Sequence, residues 1–264
     1  MVRWAKEAGF VFVDLWDDAD QVAAEVLKAG LEIGSADMKD QPALMAADTQ
    51  RRRQAVQANV DYVKRCTDLG IQVFYANLKP EDPTRPRAEN FDSLNESLKE
   101  LLPAVAEGKA RMVLEPFPAP GALCCTPEGY RAVFKDHPEP ILALNYDPSH
   151  YLRMGIDPVR LLREFVDRVY HVHAKDTEIS QDALYEFGTE QPATLSQPVR
   201  YGGTFWRYTL PGFGSAPWHT LFSILASAGY PGRISIELED YRFNGSEQGE
   251  QEGLQISGHY LAAN

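Results

Sequence analysis

Leu142-Ala143-Leu144-Asn145-Tyr146-Asp147 is a short apolar run that finishes in a carboxylate, and the pattern recurs along the chain. Met112-Val113-Leu114-Glu115, Val169-Tyr170-His171-Val172-His173 and Ile234-Ser235-Ile236-Glu237 read the same way. Each is a buried strand by length and apolar content, and each ends in a residue able to ligate a metal. An ionised carboxylate at the mouth of a core needs a compensating charge, which a divalent cation supplies. Recurrence at successive strand C-termini points to a parallel β/α barrel, whose active sites sit on that face.

Working outward, strand and helix signals alternate. Val11–Leu15, Leu31–Ser35 and Ile71–Asn77 read as earlier strands, separated by a helix from about 18 to 28 and a longer one closed by Gly70. Leu94, Leu98, Leu101 and Leu102 stripe the next helix, with Pro103 expected to kink its second half. Thr126-Pro127 and Asp157-Pro158 are N-cap and first-turn pairs that open two more helices, and a last helix is expected near 254–261. Seven strands result, starting near 11, 31, 71, 112, 142, 169 and 234. A TIM barrel has eight. The N-terminal stretch Val2–Gly9 reads as the closing turns of a helix, so the expectation is a TIM (β/α) barrel lacking its first β-strand, through an upstream true start or a deletion.

The 264 residues show no linker or composition shift and are expected to form a single domain over 1–264, with 44% hydrophobic residues sufficient for a core. A formal charge of −12 argues against nucleic acid as a partner. Cys66, Cys124 and Cys125 supply neither a disulfide framework nor a zinc spacing and read as reduced thiols. With no membrane-spanning run and no signal-peptide pattern, the expected location is the cytoplasm.

Alternation along a strand places His171, His173 and Lys175 on one face, Asn145 with Asp147, and Ser235 and Glu239 with Glu237. His171, deepest of its set, reads as a hydrogen-bonded core histidine. The remaining donors, Glu115, Asp147, His173 and Glu237, offer three oxygens and one nitrogen. That set suits Mn²⁺ first, then Mg²⁺, with Co²⁺ and Zn²⁺ as further candidates.

The stretches Asp147-Pro148-Ser149-His150, His171-Val172-His173-Ala174-Lys175-Asp176 and Ser235-Ile236-Glu237-Leu238-Glu239-Asp240 resemble the sugar phosphate isomerase/epimerase family, whose fold is the xylose-isomerase-like TIM barrel. Trp206-Arg207-Tyr208 followed by Pro211-Gly212-Phe213-Gly214 is similar to that family's late loop motif. The resemblance implies that Glu115, Asp147, His173 and Glu237 are metal ligands, with Glu115 and Glu237 also the catalytic acid/base pair. It further implies a substrate contact from His150, and Lys175, Asp176, Trp206 and Arg207 are expected as further substrate-binding residues. The chain departs from the ketose epimerases at Gly121, where they carry a second glutamate, and at Ile179, where they carry an arginine.

A divalent ion gripping a carbonyl and its neighbouring hydroxyl would acidify the C–H between them and stabilise an enediolate. Returning the proton to the same carbon is epimerisation, to its neighbour isomerisation; expelling a β-substituent makes a lyase. The expected function is therefore a metal-dependent sugar isomerase or epimerase. The alternatives are a lyase or dehydratase on an oxidised sugar, glycoside or cyclitol, and a non-catalytic partner subunit. An apurinic endonuclease on the same superfold would need histidines from early strands, and the first here is His137. The long stretch 177–215, rich in aromatics, reads either as a lid over a sugar ring or as packing on the barrel rim. Its glycines are not phosphate-loop signatures. The expected partner is a small carbohydrate or polyol, with a homo-oligomer as a further option.

Overall fold

A computed structural model describes residues 1–264. The chain divides into two compact units, residues 1–146 with 168–171, and residues 147–167 with 172–264.

The first unit opens with helix α1 (Val2–Glu7) and carries β1 (Phe12–Leu15), α2 (Ala19–Lys28), β2 (Glu32–Asp37), α3 (Thr49–Asp68), β3 (Val73–Asn77), α4 (Arg87–Glu107), β4 (Arg111–Glu115), α5 (Pro127–Asp136) and β5 (Leu142–Tyr146). Every residue of β5 is buried, as expected of a parallel strand covered on both faces. Val73, Val113 and Ala143 form one layer across three neighbouring strands, with Tyr75 packed against it. The caps follow the sequence signals: the Thr126 side chain accepts from Gly129 N ahead of Pro127, and Asp48 accepts from Arg51 N at 2.6 Å. Helix α4 contains Pro103 in its second half and continues to Glu107. Cys66, Cys124 and Cys125 are free and buried.

The second unit holds α6 (Pro148–Arg153), α7 (Pro158–Phe165), a hairpin of β7 (Asp176–Ile179) and β8 (Trp206–Thr209), α8 (Gln181–Phe187), α9 (Trp218–Ser227), β9 (Ile234–Ile236) and α10 (Glu247–Ala263). Strand β6 (Val169–Ala174) begins in the first unit and finishes in the second. Seven parallel strands make one sheet in the order β1-β2-β3-β4-β5-β6-β9, the seven read from the sequence. Asp157 caps α7 through Val159 N and Arg160 N, with Pro158 in the first turn. Helix α10 starts earlier than expected because Ser246 caps it, accepting from Gly249 N at 3.1 Å.

Residues 177–215 are not one continuous loop. Asp176–Ile179 pairs antiparallel with Trp206–Thr209, and α8 lies between them. Two four-residue strands thirty residues apart give no local periodicity, so only their pairing identifies them. No helix is long and apolar enough to cross a membrane.

Registers place the site. Leu114 pairs with Leu144, which sets Glu115 level with Asn145 at the C-terminal edge of β4 and β5. His173 pairs with Ser235 and Ala174 with Ile236, so Glu237 emerges level with Lys175. The Glu237 amide donates to the Ala174 carbonyl at 3.4 Å.

Candidate metal centre

Asp147 leaves the end of β5 and at once caps α6, its Oδ1 accepting from Ser149 N at 2.8 Å. One helical turn later, His150 returns over it, with Nε2 3.3 Å from Asp147 Oδ2. The other imidazole nitrogen, Nδ1, lies 2.6 Å from the Tyr208 hydroxyl of β8, and the two rings meet edge to face. From β6, His173 Nδ1 lies 3.1 Å from Glu237 Oε2. Lys175 is fully buried, and its ammonium donates to Glu237 Oε2 at 2.7 Å and Glu239 Oε2 at 2.9 Å. It also lies 3.4 Å from Asp147 Oδ2 and 4.5 Å from the centre of the Tyr208 ring.

This crowding shifts Asp147, His150, Lys175 and Glu237. Burial pushes Asp147 up to about 6 against the pull of Lys175. Burial would also raise Glu237, but Lys175 and His173 outweigh it and hold that carboxyl well below the usual range. Burial alone would lower the Lys175 ammonium; Glu237, Asp147 and Glu239 reverse this and hold it well above its ordinary value. Burial and the adjacent Lys175 keep His150 well below its usual value, so its imidazole is neutral and able to ligate.

Asp147, His150 and Glu237 each bring one ligand atom within 4.8 Å of the others. Asp147 Oδ2 is buried and accepts no hydrogen bond. Asp147, Glu237 and Glu239 set three negative charges against the single positive charge of Lys175, leaving two uncompensated. Two residual charges, an acceptor without a donor and a mixed oxygen and nitrogen donor set fit a hard or borderline divalent cation.

In the first unit, Glu115 is buried at the end of β4 and accepts a short hydrogen bond from Asn145 Nδ2. His171 Nε2 lies 3.2 Å from Asp14 Oδ2, and its ring meets the edge of Phe12, as a core histidine would. Sequence reasoning placed His150 against substrate and left Tyr208 among the loop aromatics. The structure sets both beside Asp147 and Lys175, and for His150 the three-residue spacing from Asp147 was the available signal. Glu239 was placed on the face of Glu237 but given no role.

Three sequence-predicted substrate contacts have other partners. Asp176 is buried, and its oxygens accept from Thr177 N, Ala216 N, Gly212 N and the Trp218 indole at 2.8, 2.9, 3.0 and 3.1 Å. Four donors fill the accessible lone pairs of one carboxylate, so Asp176 organises the loop from within. Burial raises its pKa despite those bonds. The Arg207 guanidinium is paired with Glu178 and lies 3.6 Å from Asp240. Trp206 packs with the Arg153 guanidinium, 4.5 Å from its ring centre, and with Tyr208, at 4.9 Å. A cavity of about 240 Å³ opens alongside, walled by Phe187, Phe205, Trp206 and Arg207.

Asp240 fastens the turn after β9, its Oδ2 accepting from Thr209 Oγ1 at 2.7 Å and Arg242 Nη2 at 2.6 Å. Burial would raise its carboxyl, but the bonds from Arg242 hold it below 3.8. A depressed folded value stabilises the protein above the unfolded pKa, and this is lost as pH falls through the folded one. Asp240→Asn is expected to cost about 1–3 kcal/mol at neutral pH. Urea melts should show the gap to wild type narrowing once pH drops below 3.8.

The family model described as xylose isomerase-like TIM barrel matches residues 2–258. Over 103 residues, 38% of this chain and 32% of the relative, the sequence is 35% identical to the uncharacterized protein YfiH of Bacillus subtilis. Over 99 residues, 38% of this chain and 31% of the relative, it is 32% identical to inosose dehydratase of Clostridium tetani. The matched stretches thus span about a third of these relatives' length. A D-tagatose 3-epimerase-like crystal structure superposes over 98% of this chain and 91% of its own, with a TM-score of 0.71 at 18% identity.

Proposed function

Because the chain belongs to the xylose isomerase-like TIM barrel family, we propose that it is a divalent-metal-dependent enzyme, an isomerase or epimerase that removes a proton next to a carbonyl of a sugar or related polyol. The observation that carries this reading is the cluster of buried Asp147, His150, His173 and Lys175 with half-buried Glu237, with charge left over for a dication.

Asp147 and Glu237 would hold the ion, with a neutral imidazole from His150 or His173 as the nitrogen donor. Glu115, buried at the end of β4, is proposed as the further carboxylate because the family pattern implies it. When bound, the ion would polarise a substrate carbonyl and acidify the adjacent C–H. Glu237, ionised and half-buried, is proposed to accept that proton, and Glu115 to return one, as the family pattern implies.

A second reading, dehydration of an oxidised cyclitol or sugar, is favoured by Gly121. Its φ is +74°, and a Cβ there would lie 2.9 Å from Pro83 Cα and 3.0 Å from Pro80 Cγ. The glutamate that ketose epimerases carry at this place cannot be fitted without moving backbone. Likeness to inosose dehydratase over 99 residues points the same way. Loss of a β-hydroxyl needs a proton donor, and the His150–Tyr208 pair is one candidate.

Metal content after gentle purification, followed by proton NMR in D₂O with a panel of ketoses and inososes, tests both readings. The expected result is about one divalent ion per chain and metal-dependent exchange of the proton next to a carbonyl. A rearranged sugar identifies the isomerase, and water loss with a new conjugated absorbance the dehydratase. Protein that neither retains nor takes up a divalent ion and exchanges no proton would sink the proposal.

A further inference from the structure

We propose that Lys175 is a resident counter-cation that shares the carboxylates of the metal centre and sets its affinity for the divalent ion, with Glu239 drawing the ammonium aside. The inference rests on the metal reading above but adds a claim that reading does not contain.

A lysine carried wholly into the interior on a flexible stem must be held by charge. Lys175 lies 2.7 Å from Glu237, 2.9 Å from Glu239 and 3.4 Å from Asp147. It also stands 3.4 Å from His150 Nε2. Three of these four neighbours, Asp147, Glu237 and His150, are the residues whose ligand atoms converge. Glu239 stands outside that group and is half-buried at the mouth. The ammonium thus touches the same oxygens a dication would use, and one further carboxylate is reserved for it.

Two consequences follow from the charges. Before metal arrives, Lys175 keeps like-charged carboxylates together that would otherwise repel. When metal arrives, the ammonium opposes it, and affinity depends on how firmly Glu239 holds the lysine away from Asp147 and Glu237. Removing Lys175 leaves three uncompensated negative charges instead of two; neutralising Glu239 leaves one. Variants at these positions should therefore move affinity in opposite directions, which a purely structural pair would not do.

The experiment is calorimetric titration of EDTA-stripped wild type, Lys175→Met and Glu239→Gln with Mn²⁺, paired with thermal melts of each with and without the ion. Lys175→Met should bind Mn²⁺ at least about tenfold more tightly, and Glu239→Gln about tenfold more weakly. Metal-free Lys175→Met should melt below metal-free wild type, and saturating Mn²⁺ should close the gap. If wild type binds Mn²⁺ and both variants match it, or both weaken, the counter-cation role is overturned while the metal reading stands. If wild type binds no Mn²⁺ at millimolar concentration, the metal reading itself fails, and this inference with it. Should Lys175→Met not fold without metal, Glu239→Gln decides: unchanged or tighter binding overturns the proposal.

Discussion

Glu237→Gln is expected to lower turnover by about a thousandfold or more, whichever substrate the D₂O panel identifies. The substitution keeps the shape of the side chain and removes its charge. Glu237 Oε2 accepts from Lys175 at 2.7 Å and lies 3.1 Å from His173 Nδ1. Those neighbours keep the carboxylate ionised, with the charge a cation needs and the lone pair a proton needs. Gln is uncharged, and its amide oxygen is too weak a base to take the proton. Loss of one charge-assisted bond should also cost about 1.5–3 kcal/mol of stability, because Lys175 would keep only Glu239 and Asp147. Initial rates at saturating metal, with bound metal measured on the same samples, separate loss of the base from loss of the ion. A Gln variant turning over at near wild-type rate would remove Glu237 from any essential part in the reaction.

Asp176→Ala should be the most damaging change to folding, at about 4 kcal/mol or more. The three backbone amides and the Trp218 indole now answered by one carboxylate would all be left without an acceptor. Asp176→Asn should rescue only part, since its amide nitrogen must face N–H groups and replaces one acceptor with a donor. Gly214→Ala should reproduce the damage from the opposite side, because a Cβ there would press on Asp176 Oδ1 and lie 2.6 Å from the Thr177 carbonyl oxygen. Equilibrium urea unfolding, with limited proteolysis across 177–215, reads all three. A stable Asp176→Ala protein that has lost only substrate binding would restore the role first expected of this residue.

These two residues mark where the sequence was legible. Glu237 could be singled out as a candidate because strand periodicity is local: a few apolar residues ending in a carboxylate announce both the strand and the odd charge at its end. Asp176 sits in the same kind of position, one residue beyond Lys175, yet its use depends on where Gly212, Ala216 and Trp218 return. No spacing encodes that return. Arg207 was drawn toward substrate by motif, whereas Glu178 claims its guanidinium across a hairpin whose strands are separated by residues 180–205.

The seven parallel strands and the helix caps at Thr126, Asp157 and their prolines were written in local pattern, because burial and capping act over a few residues. Tertiary structure alone decided how those residues divide the work. It turned His150 toward Asp147, set Tyr208 behind it, sank Lys175 among three carboxylates and gave Asp176 to the loop. The reason is electrostatic: a buried charge takes its role from whichever groups lie within a few ångströms, and distant parts of the chain supply them.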